Sequence, residues 1–95
     1  MSFFIKEIIK NKLRKLTPDE ILHYSAEYGF AITRTQADQI VHYLRTSAPN
    51  PFDQADRDRF MMELAKITDQ KTAAAAQQLM DEVIKSYGME HLFEN

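Results

Sequence analysis

The chain has 95 residues, of which 44% are apolar and 27% are charged, with only two glycines and three prolines. This composition fits one compact domain over residues 1–95 and excludes the disordered, collagenous and disulfide-rich classes. Because cysteine is absent, thiolate zinc sites, iron–sulfur clusters and cysteine nucleophiles are excluded as well. No apolar run approaches the roughly 18 residues of a membrane span, and lysines interrupt the apolar N-terminus, so we expect a cytoplasmic protein.

The formal net charge of −2 is unevenly distributed. Residues 1–16 contain five basic residues and one acidic residue, a charge of +4, whereas residues 17–95 contain seven basic and thirteen acidic residues, a charge of −6. An acidic body offers no extended surface for a polyphosphate chain. Only the first helix therefore has the charge that binding to a nucleic acid would require.

The first predicted element, helix 1, is basic and amphipathic and begins near Ser2. Its apolar residues lie on one side of the helix, and its cations gather in the last turns, where they suit the helix dipole. The apolar arc covers about half the helix circumference, wider than the stripe of about 100° that one packing face requires. Helices 4 and 5 on either side would cover this surplus most simply, and a second subunit or another partner is the alternative. The apolar residues are Phe4, Ile5, Ile8, Ile9, Leu13 and Leu16.

Two capping boxes predict the next two helices. The segment Thr17–Glu20 combines a capping threonine, a proline at the first helical position and a glutamate three residues after the cap. Helix 2 begins there and ends at Gly29, which can adopt the left-handed conformation of a helix C-terminus. The segment Thr33–Gln36 repeats the box with glutamine, and helix 3 follows to about Arg45. The predicted stripe of helix 2 is Ile21, Leu22, Ser25, Ala26 and Tyr28, and that of helix 3 is Ala37, Ile40, Val41 and Leu44.

The segment Thr46–Pro51 has the composition of a loop, because its two prolines disfavour the helical conformation in the residues before them. Asn50 or Asp53 then caps helix 4, which continues toward Thr68. The buried positions expected for helix 4 are Phe60, Met61, Leu64 and Ile67.

A new cap at Thr68–Asp69 begins helix 5, the clearest amphipathic helix, which is expected to end at Gly88. Residues 89–95 are predicted to form a frayed tail. The alanines of residues 73–76 are expected to pack inside the domain, although small residues also allow a partner helix to approach closely. The five helices together predict an all-α fold, a compact bundle of short amphipathic helices.

The pattern of caps, helix-stop glycine and core positions resembles the small YqfT-like proteins of spore-forming Firmicutes, a family of unknown function. This resemblance implies no catalytic residue that could be transferred to the chain. The segments that carry it are Leu16 to Leu22, Tyr28 to Phe30, Thr33 to Val41, Pro51 to Asp53 and Asp56 to Asp69.

Two groups of residues have the chemistry of metal ligands but lack a complete site. The acidic group Asp53, Asp56 and Asp58 has neither the central glycine nor the closing glutamate of an EF-hand loop, and we interpret it as favourable charge at a helix start. His23 and Glu27 share a helix face, but zinc needs at least three protein ligands, so a surface pair is the favoured interpretation. Two glycines also cannot build a phosphate loop. We therefore predict no metal, no cofactor and no enzymatic activity.

The favoured function is a protein interaction module that binds a partner, or a second copy, through helix 1. The predicted surface consists of Phe4, Ile5, Ile8, Ile9, Lys10, Leu13 and Arg14. Nucleic-acid binding is the alternative, either through the basic helix 1 or through the unit of helices 2 and 3, which is arranged in sequence like a helix-turn-helix. Beside the lysines of helix 1 only Phe3 could stack on bases. The polar residues of helix 3 in that alternative are Arg34, Gln36, Gln39, His42 and Arg45.

Overall fold

The computed structural model describes residues 2–86, with side chains described for residues 6–78. Over this part of the chain it contains five α-helices and no β-strand, which confirms the predicted all-α class. In chain order these are α1 (Ser2–Arg14), α2 (Pro18–Glu27), α3 (Arg34–Ser47), α4 (Gln54–Ile67) and α5 (Gln70–Ser86).

Both predicted capping boxes are present. The Thr17 hydroxyl accepts a hydrogen bond from the Glu20 N–H at 3.2 Å, and the Glu20 carboxylate accepts one from the Thr17 N–H at 3.0 Å. The Thr33 hydroxyl and the Gln36 amide oxygen make the same reciprocal pair at 3.1 and 2.9 Å. Each box satisfies two N–H groups that the first turn of a helix leaves without an intrahelical partner. Gly29 follows α2 with φ of +81°, as expected of a helix-stop glycine.

In the connection between α3 and α4, the end of α3 differs from its prediction, and one of the two predicted caps of α4 is confirmed. The third helix extends beyond Arg45 to Ser47 and ends at Ala48, which takes a left-handed φ of +43°. Asp53, and not Asn50, caps α4 by accepting a hydrogen bond from the Asp56 N–H at 3.0 Å. Asn50 instead stabilises the loop, because its side chain accepts the Phe52 N–H at 3.0 Å and its own N–H donates to Asp56 at 2.8 Å.

The last helix begins where its cap was predicted. The Asp69 carboxylate accepts a hydrogen bond from the Thr72 N–H at 2.6 Å, and the Thr68 hydroxyl donates to the Leu64 carbonyl at 2.7 Å. The predicted end of helix 5 at Gly88 and the predicted frayed tail of residues 89–95 lie outside the described residues.

The helix α3 occupies the centre of the domain, in contact with α1, α2 and α4, while α5 packs on α4. The four residues predicted to form the apolar stripe of α3 are all buried, which confirms the prediction from hydrophobic periodicity. Two of them, Ile40 and Leu44, form the core cluster with Leu64 of α4 and Ala73 of α5. Ala73 is 6% exposed and Ala76 packs against the same cluster, so part of the alanine run packs internally as predicted.

Two expectations about helix faces need correction. The helix α1 ends at Arg14 and packs mainly on α3, and it is not flanked chiefly by α4 and α5. Leu13 in α1 and Leu16, just after α1, pack against the core cluster. In α2 the small Ser25 is the buried residue, whereas Ala26 and Tyr28 are exposed. The Ser25 hydroxyl donates to the Ile21 carbonyl at 2.7 Å, which satisfies it without a partner outside its own helix.

Replacing Leu44 by alanine should lower the free energy of unfolding by about 2–5 kcal/mol, because Leu44 is 1% exposed and its loss leaves a cavity between α3 and α4. Urea unfolding followed by circular dichroism measures this change. The exposed Gln39 on the same helix is the matched control, and Gln39→Ala should change stability by no more than about 0.5 kcal/mol. Equal effects at both sites would contradict the assignment of the core.

Two substitutions at left-handed residues should change stability in opposite directions. Gly29→Ala should destabilise by about 1 kcal/mol, since a β-carbon there would meet no atom within 4 Å but would disfavour the left-handed backbone. Ala48→Gly should stabilise by about 0.5–1 kcal/mol for the converse reason. Thermal unfolding of the two variants beside the parent tests both, and a stabilising Gly29→Ala would show that the helix end is misassigned.

Candidate interaction surface

Among the side chains of α1 that the structure describes, one large apolar side chain is mostly exposed. Ile8 is 66% exposed, whereas Leu13 of the same helix packs against the core cluster. Successive residues of an α-helix are rotated by about 100°, which places Ile8 well away from the face centred near Ile9 and Leu13. The wide apolar arc of the sequence is therefore divided between an inward face and an outward Ile8.

Several basic side chains of α1 are held by neighbouring polar groups. Lys10 pairs with Glu7 at 3.1 Å, Lys12 pairs with Glu20 of α2 at 3.0 Å, and Arg14 donates to the Asn11 side chain at 3.2 Å. The ammonium of Lys6 lies 5.6 Å from the centre of the Phe52 ring, within the range of a cation–π contact. Much of the positive charge on α1 is thus already matched within the chain.

Two aromatic residues of the second helical segment are also exposed. Tyr24 in α2 and Tyr28 at the C-cap of α2, four residues apart, are 41% and 48% exposed. Tyr24 is close enough to Lys12 to contribute to that lysine's pKa, and Lys12 itself follows Ile8 by one turn of α1. We name the exposed group Ile8, Lys12, Tyr24 and Tyr28 the α1–α2 surface.

An ion pair fixes α1 relative to α2 at this surface. The hydrogen bond from Lys12, assisted by the Thr17 N–H, lowers the pKa of the Glu20 carboxyl from its ordinary value. The same hydrogen bond and the charge of Glu20 raise the pKa of the Lys12 ammonium. Both groups are therefore charged at neutral pH, and the α1–α2 surface combines apolar, aromatic and paired ionic groups.

The predicted surface residues are only partly brought together. The side chains of Phe4 and Ile5 lie outside the described residues. Ile8 and Arg14 are exposed and Ile9 and Lys10 are half-buried.

Leu13, another residue of that predicted surface, is half-buried. It packs against the core cluster and borders a small cavity with Pro51 and Phe60. Part of its apolar surface is therefore used within the fold.

Sequence reasoning missed the two tyrosines. Tyr28 was expected on the buried stripe of helix 2, and Tyr24 was not assigned a role. The i, i+4 spacing of two tyrosines was the available signal, since such a pair occupies one helix face. Phe3 is not the only aromatic residue near the cations of α1, because the Phe52 ring lies under the Lys6 ammonium.

The polar residues of α3 proposed for nucleic-acid reading are partly engaged within the domain. Arg34 pairs with Asp19 of α2 at 2.6 Å and with Asp38 at 3.5 Å. The Gln36 side chain caps its own helix and donates to the Ile67 carbonyl at 3.3 Å. The other three polar residues proposed for this role, Gln39, His42 and Arg45, are exposed.

The acidic and histidine groups have the structural roles that the sequence favoured. Asp53 caps α4, while Asp56 accepts the Asn50 N–H and pairs with Arg59. His23 lies 3.6 Å from Glu27, with both side chains more than half exposed. Within the described residues no three metal-ligating side chains converge, and no described helix is long and apolar enough to cross a bilayer.

Comparison with known proteins finds relatives without an established function. A family model described as "Protein of unknown function (DUF2624)" matches residues 1–84. The "Uncharacterized protein YqfT" of Bacillus subtilis (strain 168) is 32% identical over 74 residues, which cover 78% of this chain and 88% of that protein. No solved structure matches the chain.

The stability of the domain should fall as the pH drops below about 4, because folding lowers the pKa of Glu20, Asp56 and Asp69 through hydrogen bonds to their carboxylates. A carboxyl with a lowered pKa stabilises the fold above its ordinary pKa, and this contribution is lost as the pH falls through the folded value. In Glu20→Gln the remaining side-chain oxygen can still accept the capping hydrogen bond, as the Gln36 oxygen does in the second box. The variant removes the negative charge and, with it, the oxygen that accepts from Lys12.

This variant should therefore be less stable than the parent at neutral pH, and the difference should vanish below about pH 2. Urea unfolding across this pH range measures it. A difference that stays constant with pH would show that the Lys12–Glu20 charge pair does not stabilise the fold.

Proposed function

The chain belongs to the DUF2624 family of proteins of unknown function, and we propose that it is a non-catalytic helical module that binds another protein through the α1–α2 surface. The observation that carries the proposal is Ile8, which is 66% exposed on a helix whose Leu13 packs inward. Fully burying a large apolar side chain is favourable by about 1.5–3 kcal/mol of free energy, and a partner that covers Ile8 would gain part of this. We place this binding in the cytoplasm as part of the same proposal.

The composition of the surface supports a protein as the partner. Tyrosine is enriched among the residues that supply most of the binding energy at protein interfaces, while the rim of an interface is polar and accommodates charged groups. Tyr24 and Tyr28 offer apolar rings with a polar hydroxyl, and the Lys12–Glu20 pair contributes no net charge. A nucleic acid would instead favour unmatched cations, and Lys10 and Lys12 both have carboxylate partners.

The absence of catalysis in this proposal is supported by how the described polar side chains are used. Thr17, Thr33, Asp53 and Asp69 each accept a helix N-terminal N–H, and Asp56 holds the loop before α4. A general base or nucleophile needs an acceptor or donor that is free to meet a substrate. These caps are engaged with the backbone of their own helices.

A photo-crosslinking amino acid at position 8 tests the proposal in native cells. We expect a discrete crosslinked protein at position 8 and none at position 71, because Lys71 is similarly exposed but lies on α5, away from the surface. The mass of the product distinguishes another protein from a second copy. Crosslinking to RNA or DNA would support the nucleic-acid alternative, and identical products at both positions would overturn a specific surface.

A point substitution provides the quantitative control for that experiment. Ile8→Glu should weaken capture of the crosslinked partner by about tenfold or more, since it places a charge where an apolar contact is expected. Its free energy of unfolding should change by no more than about 0.5 kcal/mol, because the side chain is exposed. Unchanged capture by a folded Ile8→Glu variant would exclude Ile8 from the interface.

A further inference from the structure

A second exposed feature lies between the end of α3 and the outer face of α4. It is a groove of about 350 Å³, and its apolar lining includes Tyr43, Pro49 and Met62. Met62 is 61% exposed, and the Tyr43 ring is held by stacking on Phe60 with 5.6 Å between ring centres and 11° between planes. The groove therefore has a preformed aromatic wall beside a flexible apolar side chain.

Four charged residues of α4 line the same groove in the order negative, positive, negative, positive. They are Asp56, Arg59, Glu63 and Lys66. With Met62 they span about 120° of the helix surface, on the side opposite the buried Leu64, as follows from the rotation of about 100° per residue. The groove thus carries a balanced charge pattern, not a single sign.

This order of charges is complementary to its own reverse. Consider two α4 helices packed antiparallel, with the two-fold axis at the height of residue 61. Position 56 of one helix then lies level with position 66 of the other, and position 59 of one lies level with position 63 of the other. Each of these positions then has a residue of opposite charge beside it. The two Met62 side chains lie about 3 Å apart along the helix direction, on either side of the symmetry axis.

We infer that this face of α4 binds the same face of a second copy of the chain, antiparallel and related by a two-fold axis near Met62. A two-fold contact needs one patch that is complementary to itself, and the charge order of α4 meets this requirement. In the single chain Arg59 already contacts Asp56, and its five N–H donors allow it to meet Glu63 of the second copy as well. Among the described residues Glu63 and Lys66 form no ion pair, so both are available for the contact.

The dimer proposed here uses a different surface from the α1–α2 surface and does not depend on the function proposed for it. The contact consists mainly of one face of a 14-residue helix, about 21 Å long. Interfaces of this limited size belong to weak and transient complexes. We expect self-association that is visible at high micromolar concentration and lost on dilution.

Sedimentation equilibrium of the full chain from low micromolar to millimolar concentration tests the dimer, with two charge reversals as probes. Arg59→Glu alone and Glu63→Arg alone should each be monomeric, because every central pair in their homodimers joins like charges. An equimolar mixture of the two variants should recover the dimer, because both central pairs then join opposite charges. Met62→Asp should also abolish association by placing two carboxylates near the axis.

Circular dichroism confirms that each variant is folded, and recovery in the mixture itself excludes misfolding as the cause of dissociation. Lys71→Glu, on the exposed first turn of α5, is the matched control and should associate like the parent. A parent that stays monomeric at every concentration would overturn the proposal. So would a dimer that survives both single reversals, or one that is lost in Ile8→Glu, since the last result would assign self-association to the α1–α2 surface.

Discussion

The burial of one face of α3 is the constraint on which the rest of the domain depends. Ala37, Ile40, Val41 and Leu44 are covered by helices that arrive from both sides of the chain, with α1 and α2 before α3 and α4 after it. In a chain of 95 residues one modest core is all that can be built, because small domains bury a limited share of their surface. Each other helix must therefore turn its apolar stripe toward α3 or toward a helix that packs on it.

That constraint also decides which apolar residues remain outside. Leu13 and Leu16 pack against the core cluster, whereas Ile8, on another side of α1, faces solvent. The same holds for α4, where Leu64 faces inward and Met62, two residues earlier, faces outward. The two proposed binding surfaces are thus the outer sides of two helices whose inner sides hold the core together.

The two surfaces differ in how their charged residues are paired, and composition alone does not show this difference. On the α1–α2 surface the main ion pair joins Lys12 to Glu20 of the same chain and so connects α1 with α2. On α4 the charges alternate along the helix, and Glu63 lies beside no cation close enough to pair with it among the described residues. Exposed ion pairs contribute little to stability. In the two complexes that we propose, their larger effect is on the choice of partner and its orientation.

The sequence by itself determined the helices, their starts and the core face of α3. A capping box is made within four residues, as at Thr17 and Thr33, and a buried stripe follows from a period of 3.6 residues, so both are written locally. Tertiary structure alone decided that Leu13 packs against the core cluster, that Lys12 pairs with Glu20, and that Ala48 ends α3 in a left-handed conformation. These outcomes depend on which distant segments of the chain pack against one small core. A local sequence pattern does not contain that information.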